Sequence, residues 1–479
     1  MSGISAGLYA RWCSGGRPAP DAAVHEGGSP PERWLQQIWR HQRVRRDALL
    51  TSDGRPIQVL HPGFWNREPG PDFRDAVLQI GGGTPSVGDV EIDVNAGGWE
   101  GHGHAGNPAY SRVVLQVIWE TGHRRVDRPV LALKPVLDCP IGDLGPWLEE
   151  EAAATLPFST PGRCCGPLRT VAAEAAAGLL DQAAAWRLER KVAEFTARAR
   201  HLGWEPVLWE ALFSALGYKH NAWPMRRLAE LVKPAATTGR ESIDVLEARL
   251  LGLAGWLPVD LPAGAAADHA RSLWDIWWRE RDVWSEWILP ASVWRRAGIR
   301  PANHPQRRLA LAAHWMASGD LVNRLERIFL RDDTVELNPT ELTRQLMPDD
   351  GAGNGQFWRQ HWTFQSGVPI HPVPLLGPAR ATDLAINAIL PWLISRARTG
   401  RDLGLVARLE LQWFEWPVGQ DNADLRFARR RLWAGTPKGI RWTAARQQGL
   451  LQIRRDFCLP AGALCSGCRF PGLVEGSGL

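Results

Sequence analysis

The chain has 479 residues, of which 44% are hydrophobic and 22% charged, and these values exclude a wholly disordered or collagen-like protein. Its 56 basic and 51 acidic residues give a net charge of +5, which permits nucleic acid as a partner without requiring it. Arg, Asp or Pro interrupts every apolar run before the roughly 18 residues of a membrane span, and residues 1–16 lack a secretion-signal pattern, so we expect a cytoplasmic protein without membrane contact.

The first half of the chain predicts a tail followed by an α/β domain. Residues 1–30 are rich in Gly, Pro and Ala and predict a loose N-terminal tail. A helix is expected at 32–45, and short β-branched stretches divided by turns then predict strands between 49 and 137. Gly81-Gly82-Gly83 is the expected turn between two antiparallel strands. Residues 31–150 are therefore predicted to form a domain with a mixed sheet.

Helical periodicity dominates from residue 161 onward. Apolar residues spaced three or four apart predict helices at 171–202, 205–216, 243–255, 269–288, 307–318, 382–397 and 420–433, among others. We divide this part into a helical domain at 161–350 and a helical region at 351–479 that carries a cysteine cluster. The predicted fold class is α+β.

Acidic residues are concentrated on two predicted strands of the first domain. Asp89, Glu91 and Asp93 alternate with apolar residues, so they share one strand face and repel each other unless a cation or a positive partner compensates. Asp72 lies just before the preceding strand, and a hairpin would return Glu91 to its neighbourhood. Carboxylates that converge from two strands suit a hard divalent cation.

Two histidines follow this acidic strand at a spacing of two. His102 and His104 are expected in an extended loop and can point the same way. Mg²⁺ or Mn²⁺ held by Asp72 and Glu91 would lower the pKa of a bound water and stabilise charge on a phosphodiester. Asp72, Glu91, Asp93, His102 and His104 are therefore the candidate catalytic residues. The competing interpretation is a solvated acidic strand face beside two loop histidines.

The order of these features resembles the core of the PD-(D/E)xK restriction-endonuclease-like nucleases. Pro71-Asp72 and Glu91 occupy the acidic positions of that signature, and 18 residues (73–90) separate Asp72 from Glu91. The resemblance implies a restriction-endonuclease-like domain and metal-dependent cleavage of DNA or RNA. Asp93 stands where the signature has a lysine, and Arg74, Lys134, His102 and His104 are the candidate substitutes.

A second resemblance covers most of the chain. The segments LLTSDGRPIQVLHPGFWNREPGPDFRDAVLQIG, GDVEIDVNAGGWEGHGHAGNPAYSRVVLQVIW and RPANHPQRRLALAA resemble the bacterial domain of unknown function 2851 family, and QGLLQIRRDFCLPAGALCSGC extends the similarity. This resemblance supports the domain order and implies no reaction.

Cysteines near the C-terminus predict a second metal centre. Cys458, Cys465 and Cys468 have the spacing C-x6-C-x2-C, which can chelate one soft centre, and Cys164 or Cys165 would supply a fourth ligand. Zinc, an iron–sulfur cluster and free thiols remain open. The arrangement resembles the iron–sulfur staple of some PD-(D/E)xK nucleases, with different spacing. A disulfide framework is unexpected because the seven cysteines are odd in number and no export signal precedes them.

Arginines crowd one predicted loop of the helical half. The guanidinium group of arginine can donate two parallel hydrogen bonds to a phosphate, although surface arginines more often form ion pairs with acidic residues. The candidate phosphate-binding residues are Arg295, Arg296, Arg300, Arg307 and Arg308.

Three hypotheses on function follow. The first and preferred one is a metal-dependent phosphodiesterase that acts on DNA or RNA. The second is a nucleic-acid-binding protein that keeps the nuclease fold and has lost catalysis with the lysine. The third is an assembly protein that binds a protein partner and is stapled by metal at its C-terminus.

Overall fold

The computed structural model has the predicted α+β class, with a mixed sheet in the N-terminal part and helices in the C-terminal part. It describes residues 7–14, 29–66, 70–121, 128–138, 141, 161–218, 220–234, 241–261, 263–295, 299–330, 337–347, 355–369, 371–458, 465 and 468–477. Every structural statement below concerns these residues.

Six strands form the sheet: β1 (Ile57–His61), β2 (Phe64–Trp65), β3 (Phe73–Ile80), β4 (Ser86–Ile92), β5 (Val113–Ile118) and β6 (Val130–Ala132). Their order is β1-β3-β4-β5-β6, and β2 pairs with β3. The pairs β1–β3 and β3–β4 are antiparallel, whereas β4–β5 and β5–β6 are parallel. Gly81 and Gly82 adopt positive φ between β3 and β4, which confirms the predicted glycine turn.

Three helices accompany the N-terminal part: α1 (Gly7–Ser14), α2 (Glu32–His41) and the single turn α3 (Gly98–Gly101). Sixteen α-helices follow among the described residues: α4 (Cys165–Thr170), α5 (Ala173–Leu202), α6 (Trp204–Leu216), α7 (Ala222–Val232), α8 (Ile243–Leu253), α9 (Ala265–Trp284), α10 (Pro305–Ala317), α11 (Leu321–Leu330), α12 (Pro339–Leu346), α13 (Gly355–Gln360), α14 (Pro378–Leu384), α15 (Leu390–Thr399), α16 (Leu403–Glu415), α17 (Ala423–Trp433), α18 (Ala444–Ile453) and α19 (Phe470–Glu475). Single π turns (Ala385–Ile389 and Arg454–Cys458) join α14 to α15 and extend α18.

The N-terminal tail contains a helix that the sequence analysis assigned to loose chain. Tyr9 of α1 is fully buried, and its hydroxyl donates to Oδ2 of Asp456 at 2.8 Å. Its backbone N–H donates to Oε1 of Gln182 at 3.0 Å. The prediction was wrong for residues 7–14 because tertiary contacts, rather than local periodicity, stabilise this short helix.

Both faces of the sheet are covered. Val59, Leu78 and Val90 belong to a hydrophobic core that includes Trp34 and Ile38 of α2. Leu60 and Val77 instead join the large core formed by the C-terminal helices. The strands are therefore held between α2 and the helical part, which fixes the end of β4 where the acidic residues lie.

A buried ion network ties the two parts together. Glu230 of α7 accepts hydrogen bonds from Arg46, which follows α2, and from Nη1 of Arg227 at 3.2 Å. Arg43 donates to Oδ2 of Asp138 at 2.9 Å, and Arg198 of α5 approaches the same oxygen at 3.6 Å. A buried charge that loses its partner strongly destabilises the folded state. These ion pairs therefore hold the sheet against α5 and α7.

None of the helices in the described part of the chain is long and apolar enough to cross a membrane.

Candidate metal centre

Asp72 and Glu91 lie together, as the predicted hairpin requires. The antiparallel register of β3 and β4 pairs Phe73 with Val90, so the residues next to them are brought close. The backbone N–H of Asp72 donates to Oε2 of Glu91 at 3.1 Å. The Asp72 carboxylate in turn accepts from the backbone N–H of Ile92 at 3.0 Å and from Nε2 of Gln36 at 2.9 Å. Asp72 therefore connects α2 to β3 and β4.

Asp93 lies just beyond the end of β4 and is fully buried. Its backbone N–H donates to the carbonyl oxygen of Val117, and its Oδ2 accepts from Nε2 of Gln116 at 2.7 Å. The predicted acidic face is only partly correct, because Asp89 accepts from the backbone N–H of Asp75 at 3.0 Å instead of joining the histidines.

A tight turn, rather than an extended loop, carries the two histidines. The side chain of Asn95 accepts from the N–H of Gly97, and the single helical turn α3 follows directly. Gly103 has φ 71° between the histidines, a conformation that favours glycine. The turn directs both imidazoles toward Asp93, with Nδ1 of His102 3.1 Å from Oδ1 of Asp93.

Asp93, His102 and His104 each offer one ligand atom, and these atoms all lie within 4.8 Å of one another. Nε2 of His104 also lies 3.0 Å from Oε1 of Glu91. This contact and the one between His102 and Asp93 are within hydrogen-bond distance but lack hydrogen-bond angles, so Oδ1 of Asp93 and both ring nitrogens of His104 are buried without a hydrogen-bond partner among the described residues. Buried polar atoms are nearly always satisfied, so this set fits a bound cation.

The carboxylates around this group are destabilised in their charged forms. Burial, followed by the charges of Glu32 and Asp93, raises the pKa of Asp72 to about 7. Burial and the charge of Asp72 raise the pKa of Glu91 to about 9. Burial lowers the pKa of His104, which favours the neutral ring that binds metals. A site with clustered acids and a neutral imidazole is suited to an external positive charge.

The site also contains several residues that were not predicted from the sequence. The Tyr110 ring stacks on His104 with centroids 3.9 Å apart, and Trp99 packs against both rings. The Arg128 guanidinium lies 4.0 Å from the centroid of Trp99 and donates to Oε1 of Gln116. Gln36 lies one helical turn after Glu32 on α2, and its side-chain amide donates to both Glu32 and Asp72. The i,i+4 spacing of Glu32 and Gln36 is a sequence signal that these two side chains share one helix face.

The candidate substitutes for the missing lysine separate into two groups. His102 and His104 lie in the site. Lys134 is occupied elsewhere, since its Nζ donates to Oε1 of Glu120 at 2.9 Å on the exposed surface. Arg74 lies on β3 beside β2, where its backbone position pairs with Phe64.

The predicted phosphate-binding arginines do not form one exposed cluster. Arg307 is 1% exposed and donates to the carbonyl oxygens of Trp358 and Val373 at 2.9 and 2.7 Å. Arg308 is also buried and donates to the carbonyl of Leu375. The prediction was wrong for these two residues because their donors stabilise loop backbone in the interior.

The remaining members of that predicted cluster have different positions. Arg295 and Arg300 are exposed and stay predictions, whereas Arg296 lies outside the described residues.

Four of the five cysteines predicted to bind a cofactor are buried, and Cys468 is half-buried. Cys164 precedes α4 directly, Cys165 lies in α4 and Cys458 ends a π turn. Burial, followed by the thiols of Cys458, Cys468 and Cys465, raises the pKa of the Cys164 thiol.

Comparison with known proteins yields one match. The sequence pattern of the family described as "Protein of unknown function (DUF2851)" matches residues 32–412, which confirms that resemblance over most of the chain. The segment with Cys458, Cys465 and Cys468 lies beyond the matched residues. No curated protein and no solved structure matches the chain.

Proposed function

The chain belongs to the DUF2851 family of proteins of unknown function, and we propose that it is a divalent-metal-dependent phosphodiesterase acting on nucleic acid. One observation carries the proposal: ligand atoms of Asp93, His102 and His104 converge within 4.8 Å, and three buried atoms among these residues lack hydrogen bonds. A strand end and a glycine turn hold the group in this arrangement before any ion binds.

The chemistry of the ligands selects the ion. One carboxylate and two imidazoles suit Mn²⁺, Fe²⁺ or Zn²⁺ better than Mg²⁺, which prefers oxygen ligands and retained water. Asp93, His102 and His104 would hold the ion, in place of the Asp72 and Glu91 pair expected from the sequence. Asp72 is engaged by Ile92 and Gln36 and acts as a support for the site.

The surrounding residues can serve phosphodiester hydrolysis. A divalent ion supplies Lewis-acid stabilisation of the phosphate charge and a more acidic bound water. The positive charge of the ion would lower the pKa of Glu91 and ionise it, and its Oε1, which is next to the ligand group, would then accept a proton from the attacking water. Arg128, held by Trp99 and Gln116 at the same end of the sheet, would bind a phosphate oxygen with its guanidinium.

The element order gives further support. Helix α2, strand β1, Asp72, strand β3, strand β4 with Glu91, the turn α3 and strand β5 follow one another as in the sequence pattern that resembles PD-(D/E)xK nucleases. An Asp/His/His ligand set also occurs in iron oxygenases. The additional carboxylate of Glu91 favours hydrolysis, since a phosphoryl-transfer site requires a group that moves protons beside the ion.

The test is cleavage of end-labelled single- and double-stranded DNA and RNA by metal-free protein supplied with Mn²⁺, Zn²⁺ or Mg²⁺. We expect cleavage with Mn²⁺ or Zn²⁺, a loss of at least about 100-fold in Asp93→Asn, and near-normal cleavage in Asp89→Asn, which alters a buried acid on the same strand outside the ligand group. A protein that binds these substrates with steep salt dependence yet cleaves none would favour the inactive nucleic-acid-binding alternative. Absence of both binding and cleavage would favour the assembly protein.

A further inference from the structure

The end of the chain returns to the segment that follows the first domain. Helix α4 packs against α17 and α19, which places Cys164 beside the C-terminal turns. The sulfur of Cys164 contacts the carbonyl oxygen of Arg431 at 3.7 Å, and the backbone N–H of Gly162 donates to the same oxygen at 2.7 Å. Residues more than 260 positions apart therefore meet at this point.

The side chain of Arg431 extends the connection to the C-terminal cysteines. It is 1% exposed, and its Nη2 lies 2.7 Å from the sulfur of Cys465. A guanidinium keeps its charge in proteins, so burial at this place favours an anionic neighbour. A thiolate bound to metal is anionic, whereas a free buried thiol is neutral.

Cys468 and Cys458 are the other two cysteines near Cys465. The backbone N–H of Cys468 donates to the carbonyl of Cys465 at 3.2 Å. The sulfur of Cys468 contacts the carbonyl of Phe457 at 3.8 Å, directly beside Cys458. Burial, together with the nearby thiols of Cys468 and Cys465, raises the pKa of the Cys458 thiol to about 12 against the opposing charge of Arg431.

We infer that Cys164, Cys458, Cys465 and Cys468 bind an iron–sulfur cluster, with Arg431 compensating its negative charge. Each thiol would lose its proton to solvent as its sulfur binds iron. A single zinc ion requires all four sulfurs about 2.3 Å from one centre and hence close to each other. Within the described part of the chain, no three of these sulfurs all lie within 4.8 Å of one another, as the ligand atoms of the Asp93 group do. A cluster tolerates wider separation because each thiolate binds a different iron.

The geometry also chooses between the two adjacent cysteines. The sulfur of Cys164 contacts the backbone carbonyl of Arg431, the same residue whose guanidinium lies 2.7 Å from the sulfur of Cys465. Cys165 begins helix α4 and is buried there. The cluster would therefore fasten the chain end to the start of α4 through Cys164, and Cys165 is the matched control.

The test is iron, acid-labile sulfide and zinc analysis of the full-length protein purified without oxygen and reconstituted with ferric iron, sulfide and an excess of a thiol reductant, which supplies the electrons for a mixed-valence cluster. We expect about four irons and four sulfides per chain with broad visible absorption. Cys164→Ser, Cys458→Ser and Cys468→Ser should each lose most of the iron and the absorption, whereas Cys165→Ser should keep both.

Several outcomes would overturn the inference. A colourless protein with neither iron nor sulfide after reconstitution would contradict it, and so would one zinc per chain that resists exchange by iron. Retention of the cluster in Cys164→Ser with loss in Cys165→Ser would reject the ligand assignment. Far-ultraviolet circular dichroism of each variant separates loss of the cluster from loss of fold. None of these results depends on the Asp93 group, which uses different residues.

Discussion

Nε2 of His104 lies 3.0 Å from Oε1 of Glu91, yet neither nitrogen of this ring makes a hydrogen bond to any residue in the described part of the chain. Both side chains are buried, at 7% and 6% exposure. A cation bound beside them would accept the lone pair of the imidazole nitrogen and would also compensate the negative charge of the carboxylate. Such a cation would compensate the several acids that are buried at this site.

Gly98 provides a test of the Asp93 position that leaves every ligand in place. A methyl group at Gly98 would lie 2.7 Å from Cγ of Asp93 and closer still to its Oδ1, so Gly98→Ala must displace the carboxylate. We expect Mn²⁺ affinity to fall about 10- to 100-fold, as it does when the surroundings of a metal ligand change. Isothermal titration calorimetry gives the affinity. Gly101→Ala in the same helical turn is the control, because its added methyl meets no atom within 4 Å. Equal affinities in the two variants would contradict the placement.

His61 makes stability depend on pH. Burial lowers the pKa of His61 to about 4, and its Nδ1 accepts from the backbone N–H of Gly63, which requires a neutral ring. Between pH 6.5 and 4 the unfolded state binds a proton that the folded state lacks, so stability falls as the pH falls through this window. Relative to His61→Asn, the wild type should lose about 3 kcal/mol of unfolding free energy from pH 6.5 to 4.

Urea unfolding at several pH values measures this difference. The exposed His201 supplies the control, and His201→Asn should follow the wild-type pH profile. A constant difference between the wild type and His61→Asn across this pH range would show that His61 titrates normally in the folded protein.

Glu230 holds the sheet against the helical part. It is 12% exposed and compensates Arg46, Arg227 and Arg226, so Glu230→Gln leaves buried guanidinium groups without their shared acid. We expect the variant to lose about 3–5 kcal/mol of unfolding free energy, measured by urea unfolding. Glu120→Gln is the control, because Glu120 pairs with Lys134 on the exposed surface and should change stability little. Similar losses in both variants would mean that the buried network contributes no more than a surface pair.

The sequence predicted the elements whose signals are local. Alternating apolar residues and the glycines at 81 and 82 located β3, β4 and their turn, and the hairpin correctly brought Asp72 to Glu91. The family resemblance is likewise confirmed for residues 32–412. The nuclease resemblance stays a prediction.

The remaining features depend on tertiary packing that no local pattern shows. The grouping of Asp93 with His102 and His104 requires the close approach of Gly98 and the turn at Gly103. Arg307 was assigned to phosphate because a run of arginines does not reveal which guanidinium will find buried carbonyl oxygens. Helix α1 was missed because Tyr9 is held by Gln182 and Asp456, which lie far along the chain.

The most direct test of the metal centre is a titration of metal-free protein with Mn²⁺, followed by the electron paramagnetic resonance signal of the free ion. Mn²⁺ is the suitable probe because thiolates bind it weakly and the cysteine group will not compete. We predict one bound Mn²⁺ per chain in the wild type and in Asp89→Asn, and none in Asp93→Asn or His104→Ala at the same concentrations. A wild-type chain that binds no Mn²⁺, or an Asp93→Asn variant that binds it as tightly as the wild type, would contradict the assignment.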